Sequence, residues 1–185
     1  MAIIRTLNGD ISANQLGVTY SHDHIYCIPP YWAERQDDDL LLDDPQASER
    51  ELSDFRQAGG NAIYDATAPD YGRQAAAVAA MAQRQQLHII ATAGFNKGFL
   101  WSSQRPGTAQ TFAEWIERSD VDELVEHVCR EVTEGIEGTA HRAGVVKCGT
   151  GYNAISPLEY KTMEVIVRAQ QRTGAPMHSH RSEEH

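Results

Sequence analysis

Basic residues are the first shortage. The 185-residue chain carries 16 Lys and Arg against 26 Asp and Glu, a net charge of −10 with histidine neutral. That balance suits no nucleic-acid backbone, whose phosphates are gripped by Lys and Arg. It also leaves no polybasic patch for an anionic membrane. Apolar runs are short, and none approaches the roughly 18–20 residues needed to cross a bilayer. The start, MAIIRTLNGDISANQLG, lacks the apolar stretch of roughly 7–15 residues that a secretory signal needs. Cysteine is scarce: Cys27, Cys129 and Cys148 are odd in number and widely spaced. Neither a disulfide framework nor a CxxC metal site is suggested, and reduced, partly buried thiols in a cytoplasmic protein are expected. The glycines form no GxGxxG and no P-loop, so nucleotide binding has no support. No linker or low-complexity segment divides the chain, so residues 1–185 read as one domain.

What is present is a globular balance, 41% hydrophobic and 23% charged, with short apolar runs alternating with helical patterns. Five runs bounded by Gly or Pro read as buried parallel strands: residues 17–25, 61–67, 87–94, 143–149 and 175–180. Between the later ones, Val121, Leu124, Val125, Val128, Val132 and Ile136 make one apolar helical stripe. Asp120 caps it, with a capping-box Glu123. Ser156-Pro157-Leu158-Glu159 offers a cap, a Pro at the first helical position and a second capping box, and Gly174 a left-handed stop. Residues 71–86 are Ala-rich and helix-favouring, and residues 46–58 carry Leu52, Phe55 and Ala58 at spacing three. Strands alternating with helices predict an α/β fold with a parallel sheet. Five such steps fit an open doubly wound sheet, or the first part of a (β/α)8 barrel, which needs eight strands and typically about 250 residues.

Three places carry chemistry. In His22-Asp23-His24 the imidazoles are two apart, hence on one face of a strand. At the carboxyl end of the first strand, where α/β folds keep their sites, such a pair can hold a divalent metal or be merely polar. Lys147 ends the apolar run Val145-Val146-Lys147-Cys148-Gly149 and has three readings. It emerges into solvent, or it is a desolvated amine that forms a Schiff base, or it is a neutral amine that takes up carbon dioxide. The last product, a carbamate, can bridge two metal ions. VVKCGTG is similar to the Schiff-base lysine stretch of class I deoxyribose-phosphate-type aldolases, although that mechanism has no use for the histidine pair. His178-Ser179-His180 is a second pair, near the end of the fifth run. If the first and fifth strands face one cavity, up to four imidazoles meet.

Taken in order, HDHI, the strand-end Lys147 and GAPxxxH resemble the phosphotriesterase family of the amidohydrolase superfamily. IYDAT through Gly72-Arg73 resembles the family's second strand and its following Gly-Arg, and CIPPYW…DDDLLLDD with KCGTGYNAISPLEYK is similar to the branch that hydrolyses phosphorylated sugar lactones. The resemblance implies a (β/α)8 TIM barrel of which this chain supplies about the first five strands. It implies two divalent metal ions, with zinc expected and manganese, cobalt or iron able to replace it. His22 and His24 would bind the more buried ion, His180 the more exposed one, and Lys147, carbamylated by carbon dioxide, would bridge them. His178 sits where the family places no ligand. A metal-bridging hydroxide would attack a small ester, either a lactone of a phosphorylated sugar acid or a phosphotriester-like substrate. Family barrels are often homodimers. The family also uses a His on strand six and an Asp on strand eight, for which this sequence has no counterpart. A barrel fragment with an open parallel edge, inactive alone, is therefore expected. The alternatives are a Schiff-base lyase acting through Lys147 and a non-catalytic metal-binding fragment.

Other positions are read more plainly. Lys97, Arg105, Tyr152 and Arg181 lie beyond strand ends, as solvated groups or as partners for a substrate phosphate. Asp23 could orient a ligand histidine. Pro29-Pro30-Tyr31-Trp32 reads as a packed loop or a pocket rim. The acidic runs Asp37-Asp38-Asp39 and Asp43-Asp44 read as solvated turns, because no EF-hand spacing is present.

Overall fold

The computed structural model describes residues 3–32 and 41–181. The run Asp37-Asp38-Asp39 and the tail 182–185 lie outside the described residues. The chain opens with an antiparallel hairpin, β1 (Ile3–Thr6) and β2 (Gly9–Ser12). Five parallel strands follow: β3 (Thr19–Asp23), β4 (Ala62–Asp65), β5 (His88–Gly94), β6 (Val145–Thr150) and β7 (Met177–Arg181). They lie in the order β3-β4-β5-β6-β7. A doubly wound sheet reverses its strand order at a switch point, whereas a barrel adds each strand beside the last. The sequential order therefore removes the doubly wound alternative.

Helices α1 (Pro45–Gln57), α2 (Ala75–Gln85), α3 (Phe112–Arg118), α4 (Val121–Thr133) and α5 (Pro157–Thr173) fill the crossovers. Their ends follow the local chemistry. Asp120 with Glu123, and Ser156 with Glu159, form the expected capping boxes, and Gly174 stops α5 at φ 71°. Two expectations need correction. Asp44, exposed as expected, is not a turn residue but the cap of α1, accepting from the N–H groups of Gln46 and Ala47. The helix expected from residue 71 begins only at Ala75. Pro69–Tyr71 form a 3-10 turn that Gly72 ends at φ 77°, where a Cβ would lie 2.0 Å from the Ile28 carbonyl oxygen. No residue but glycine fits that approach.

The core includes Ile63, Ile89 and Val146 of the sheet together with Val78, Leu124, Val128 and Ile166 of the helices, all nearly fully buried. Ile136 stays in the core although α4 stops at Thr133. The three cysteines are buried and form no disulfide with one another, and burial pushes the Cys27 thiol up to about 12.

β3 contains a bulge that matters for the site. Tyr20 pairs with Ile63 and Asp23 with Asp65, so three steps on β3 face two on β4. Simple alternation would put Tyr20, His22 and His24 on one face. With the extra residue, Tyr20 packs towards Phe55 of α1, ring centroids 6.5 Å apart, while His22 lies against Tyr64 at 6.2 Å. Bulges re-aim side chains in this way, often beside active sites.

Candidate active site

Four histidines meet on the concave face of the sheet. Four inter-strand steps of about 4.8 Å would hold β7 about 19 Å from β3 in a flat sheet. Instead the His22 ring centroid lies 5.6 Å from that of His24, 5.3 Å from His178 and 5.8 Å from His180, each approached edge-on. The sheet is therefore curled, as a partial barrel must be. His178 and His180 stand beside Lys147 and Gly149 in the β6–β7 register, which brings the lysine to the same place.

Lys147 is fully buried, and its Nζ donates to the Ala66 carbonyl oxygen at 2.7 Å. Burial pushes its amine down to about 8, against the pull of Asp70 and Asp65. About a tenth of the amine is then neutral at pH 7. Burial, then the charge of Lys147, drives His24 down to about 3. The same two causes, joined by Lys97, take His180 to about 4, and His178 is lowered chiefly by burial. These imidazoles are neutral at pH 7, which is the form that binds a metal.

The end of β4 supports the cluster. His24 Nδ1 lies 2.9 Å from Thr67 Oγ1, which lies 2.5 Å from Asp65 Oδ1, and the same oxygen accepts from the Thr67 backbone N–H at 3.0 Å. His178 Nδ1 is 2.9 Å from the Tyr64 hydroxyl. Burial pushes Asp65 up to about 6 against its Thr67 hydrogen bonds, and Asp70 likewise. Asp70 Oδ2 accepts from the Asn96 N–H at 2.7 Å and from Trp101 Nε1–H at 2.6 Å.

The fit to metal ions can be tested on this donor set. Two imidazoles on one tetrahedral ion place their centroids about 5 Å apart, close to the spacings around His22. Neutral imidazoles and a buried amine are donors of the right kind. Among the described residues, however, no group of three or more His, Cys, Asp or Glu side chains is arranged to hold an ion unaided. The lysine would have to contribute, as its carbamate.

Sequence reasoning singled out His22, His24, Lys147 and His180 and left His178 aside. The structure brings all five side chains together. It passed over Tyr64, Thr67 and Asp70 as site residues, although IYDAT marks a strand end level with the first histidine pair. Asp23 Oδ1 accepts from the backbone N–H of His24 at 2.8 Å. Arg105 is stacked 3.9 Å over Trp115, and Tyr152 is exposed. Tyr31 is buried as loop packing while Trp32 is partly exposed.

The whole chain compares with known proteins. A phospho-furanose lactonase of Mycoplasmopsis agalactiae is 28% identical over 96% of this chain and 51% of its own length. A lactonase from Listeria monocytogenes, of known crystal structure, is 50% identical with a TM-score of 0.94, over 97% of this chain and 57% of that one. An organophosphorus hydrolase from Deinococcus radiodurans is 28% identical with a TM-score of 0.81, over 98% and 54%. The chain thus spans about half the length of the curated relatives it matches. The match to the family pattern itself runs from residue 2 to residue 185, and the chain belongs to the phosphotriesterase family.

Proposed function

We propose that residues 1–185 supply the first five strands and metal ligands of a barrel hydrolase that opens a small ester, a lactone of a phosphorylated sugar acid. One juxtaposition carries the reading. His22 lies with His24 and His180 beside a fully buried Lys147, in a chain whose relatives include proteins named phospho-furanose lactonase. His22, His24 and His180 would supply neutral imidazoles to two divalent ions, zinc first, with manganese, cobalt or iron as substitutes. Lys147 would bridge them as its carbamate. Bound there, the ions supply hydroxide at neutral pH and polarise the ester carbonyl.

The chain's own work is preparing the ligands. Burial keeps protons off His24 and His180. The neutral Lys147 amine forms one N–C bond to carbon dioxide and releases one proton, and its lowered pKa makes that form accessible near pH 7. Lys97, whose charge is felt at His180, would be one candidate to meet a substrate phosphate. Three buried cysteines not paired with one another suit a reducing compartment such as the cytoplasm. Among the described residues, no helix is long and apolar enough to cross a membrane.

Elemental analysis of the purified chain and its Lys147→Ala variant tests the reading. The expected result is about two ions per wild-type chain, as a paired-metal site requires, with a clear fall in the variant. Little metal in both would overturn it. The buried, partly neutral amine also suits a Schiff base, so borohydride trapping of a carbonyl substrate on Lys147, insensitive to chelators, would favour a lyase.

A further inference from the structure

We infer that Asp65 and Thr67, at the end of β4, fix His24 as the Nδ1–H tautomer and so keep its Nε2 lone pair free for a ligand ion. The use made of that lone pair rests on the reading of His24 given above. The tautomer itself rests on three hydrogen bonds.

The argument counts protons. Asp65 Oδ1 accepts from the Thr67 backbone N–H at 3.0 Å, and an amide N–H can only donate. As an ionised carboxylate oxygen, Oδ1 keeps a second lone pair and accepts a further hydrogen bond. Thr67 Oγ1 lies 2.5 Å from that oxygen and has one proton to give. The proton goes to Oδ1. Thr67 Oγ1 is left with lone pairs alone, so His24 Nδ1, 2.9 Å away, must be the donor. A neutral imidazole carries one N–H, hence Nε2 bears the lone pair.

The surroundings leave little freedom to escape this arrangement. Asp65 and Thr67 are buried, at 4% and 1% exposure. The Asp65 backbone carbonyl is held by the Thr92 hydroxyl at 2.8 Å, and the His24 ring packs on Tyr71 at 4.7 Å between centroids. The residue between the two, Ala66, accepts from Lys147 Nζ. Three consecutive residues of one strand end thus address both His24 and Lys147. Asp65 and Thr67 are positioning residues that act through the imidazole, as carboxylate partners of metal-binding histidines do.

The test reads the tautomer first and metal second. Ring 15N resonances of the metal-free full chain near pH 7 should show His24 protonated at Nδ1 and bare at Nε2. Thr67→Val, which keeps the shape and deletes the hydroxyl, should give mixed tautomers, and Thr67→Ser should restore the first. Titration with zinc alone should show affinity about 10–100-fold weaker in Thr67→Val and near wild type in Thr67→Ser. An Nε2–H tautomer in the wild type overturns the inference without need of any variant. So does an Nδ1–H tautomer that Thr67→Val leaves unmoved. A wild-type chain with the expected tautomer that binds no zinc upholds the relay and sinks the ligand role of His24 instead.

Discussion

Arg73 and Lys147 are both buried cations, at 5% and 0% exposure, and the protein treats them oppositely. Arg73 grips Glu131 through two nitrogens at 2.6 and 2.9 Å, reaches Glu137 at 3.0 Å and donates to the Thr92 carbonyl at 2.6 Å. Burial works against its charge, but Glu131 and Glu137 outweigh burial and raise its pKa. Lys147 has one neutral carbonyl partner, and burial prevails over the more distant Asp70 and Asp65. One cation is locked into its charge and the other is held ready to lose it. That is the contrast to be expected between a structural ion cluster and the site proposed above.

Breaking the structural cluster should give the largest effect. Glu131→Ala leaves the Arg73 charge buried and short of its bidentate partner, which costs about 3–5 kcal/mol. Urea unfolding at pH 7 measures it. The double substitution Arg73→Met with Glu131→Leu removes both charges and should be clearly less harmful than Glu131→Ala alone. A double variant as unstable as the single would mean that shape and not charge dominates there.

At Lys147 the expected sign is reversed. Its amine falls from an ordinary 10.5 to about 8 on folding, so between those values the unfolded chain binds more protons. The Lys147 contribution to stability should therefore rise with pH from about 8 to 10.5, against the opposite trend of the buried Cys27 thiol and Tyr64 hydroxyl, and below pH 8 its full penalty, about 3 kcal/mol, is present. Lys147→Met removes that penalty but strands the Ala66 carbonyl, at about 1–3 kcal/mol. The net change at pH 7 is expected to lie between zero and about 2 kcal/mol of stabilisation. The wild-type urea midpoint measured relative to that of Lys147→Met should rise over this range, because the other alkaline groups are common to both chains. A variant destabilised like Glu131→Ala would erase the distinction between the two cations.

The same contrast explains what could be read from the sequence. All five parallel strands were visible as short runs between glycines or prolines; β4, β5 and β6 are largely buried, while the edge strands β3 and β7 announced themselves by their histidine pairs. The β1–β2 hairpin was not, since most of its residues are exposed or half-exposed and carry no such run. α3, with only seven residues, is too short to show a period, although Thr111 and Glu114 form its capping box. The bulge in β3 was beyond reach too, because it is a property of the pairing with β4 and not of either strand. Histidine pairs and a strand-end lysine advertise themselves by residue type. Thr67 and Asp65 do not. Their bearing on His24 appears only when residues 43 positions apart in sequence meet through one hydrogen bond.

The smallest effect sharpens the structural side of the comparison. Glu137 sits at φ 52°, a left-handed conformation, while its half-exposed carboxylate reaches Arg73. Left-handed backbone costs a non-glycine residue about 1–2 kcal/mol, and an ion pair with one exposed partner returns about 0–1 kcal/mol. The two nearly cancel. Glu137→Gly should therefore leave stability within about 1 kcal/mol of wild type, tending to gain. Glu137→Ala keeps the backbone cost, loses the pair and should fall below both. Urea midpoints of the three proteins separate backbone from charge. If Glu137→Gly were as damaging as Glu131→Ala, Glu137 would be an equal partner in holding Arg73. The buried bidentate pair would then no longer account for the locked charge on its own.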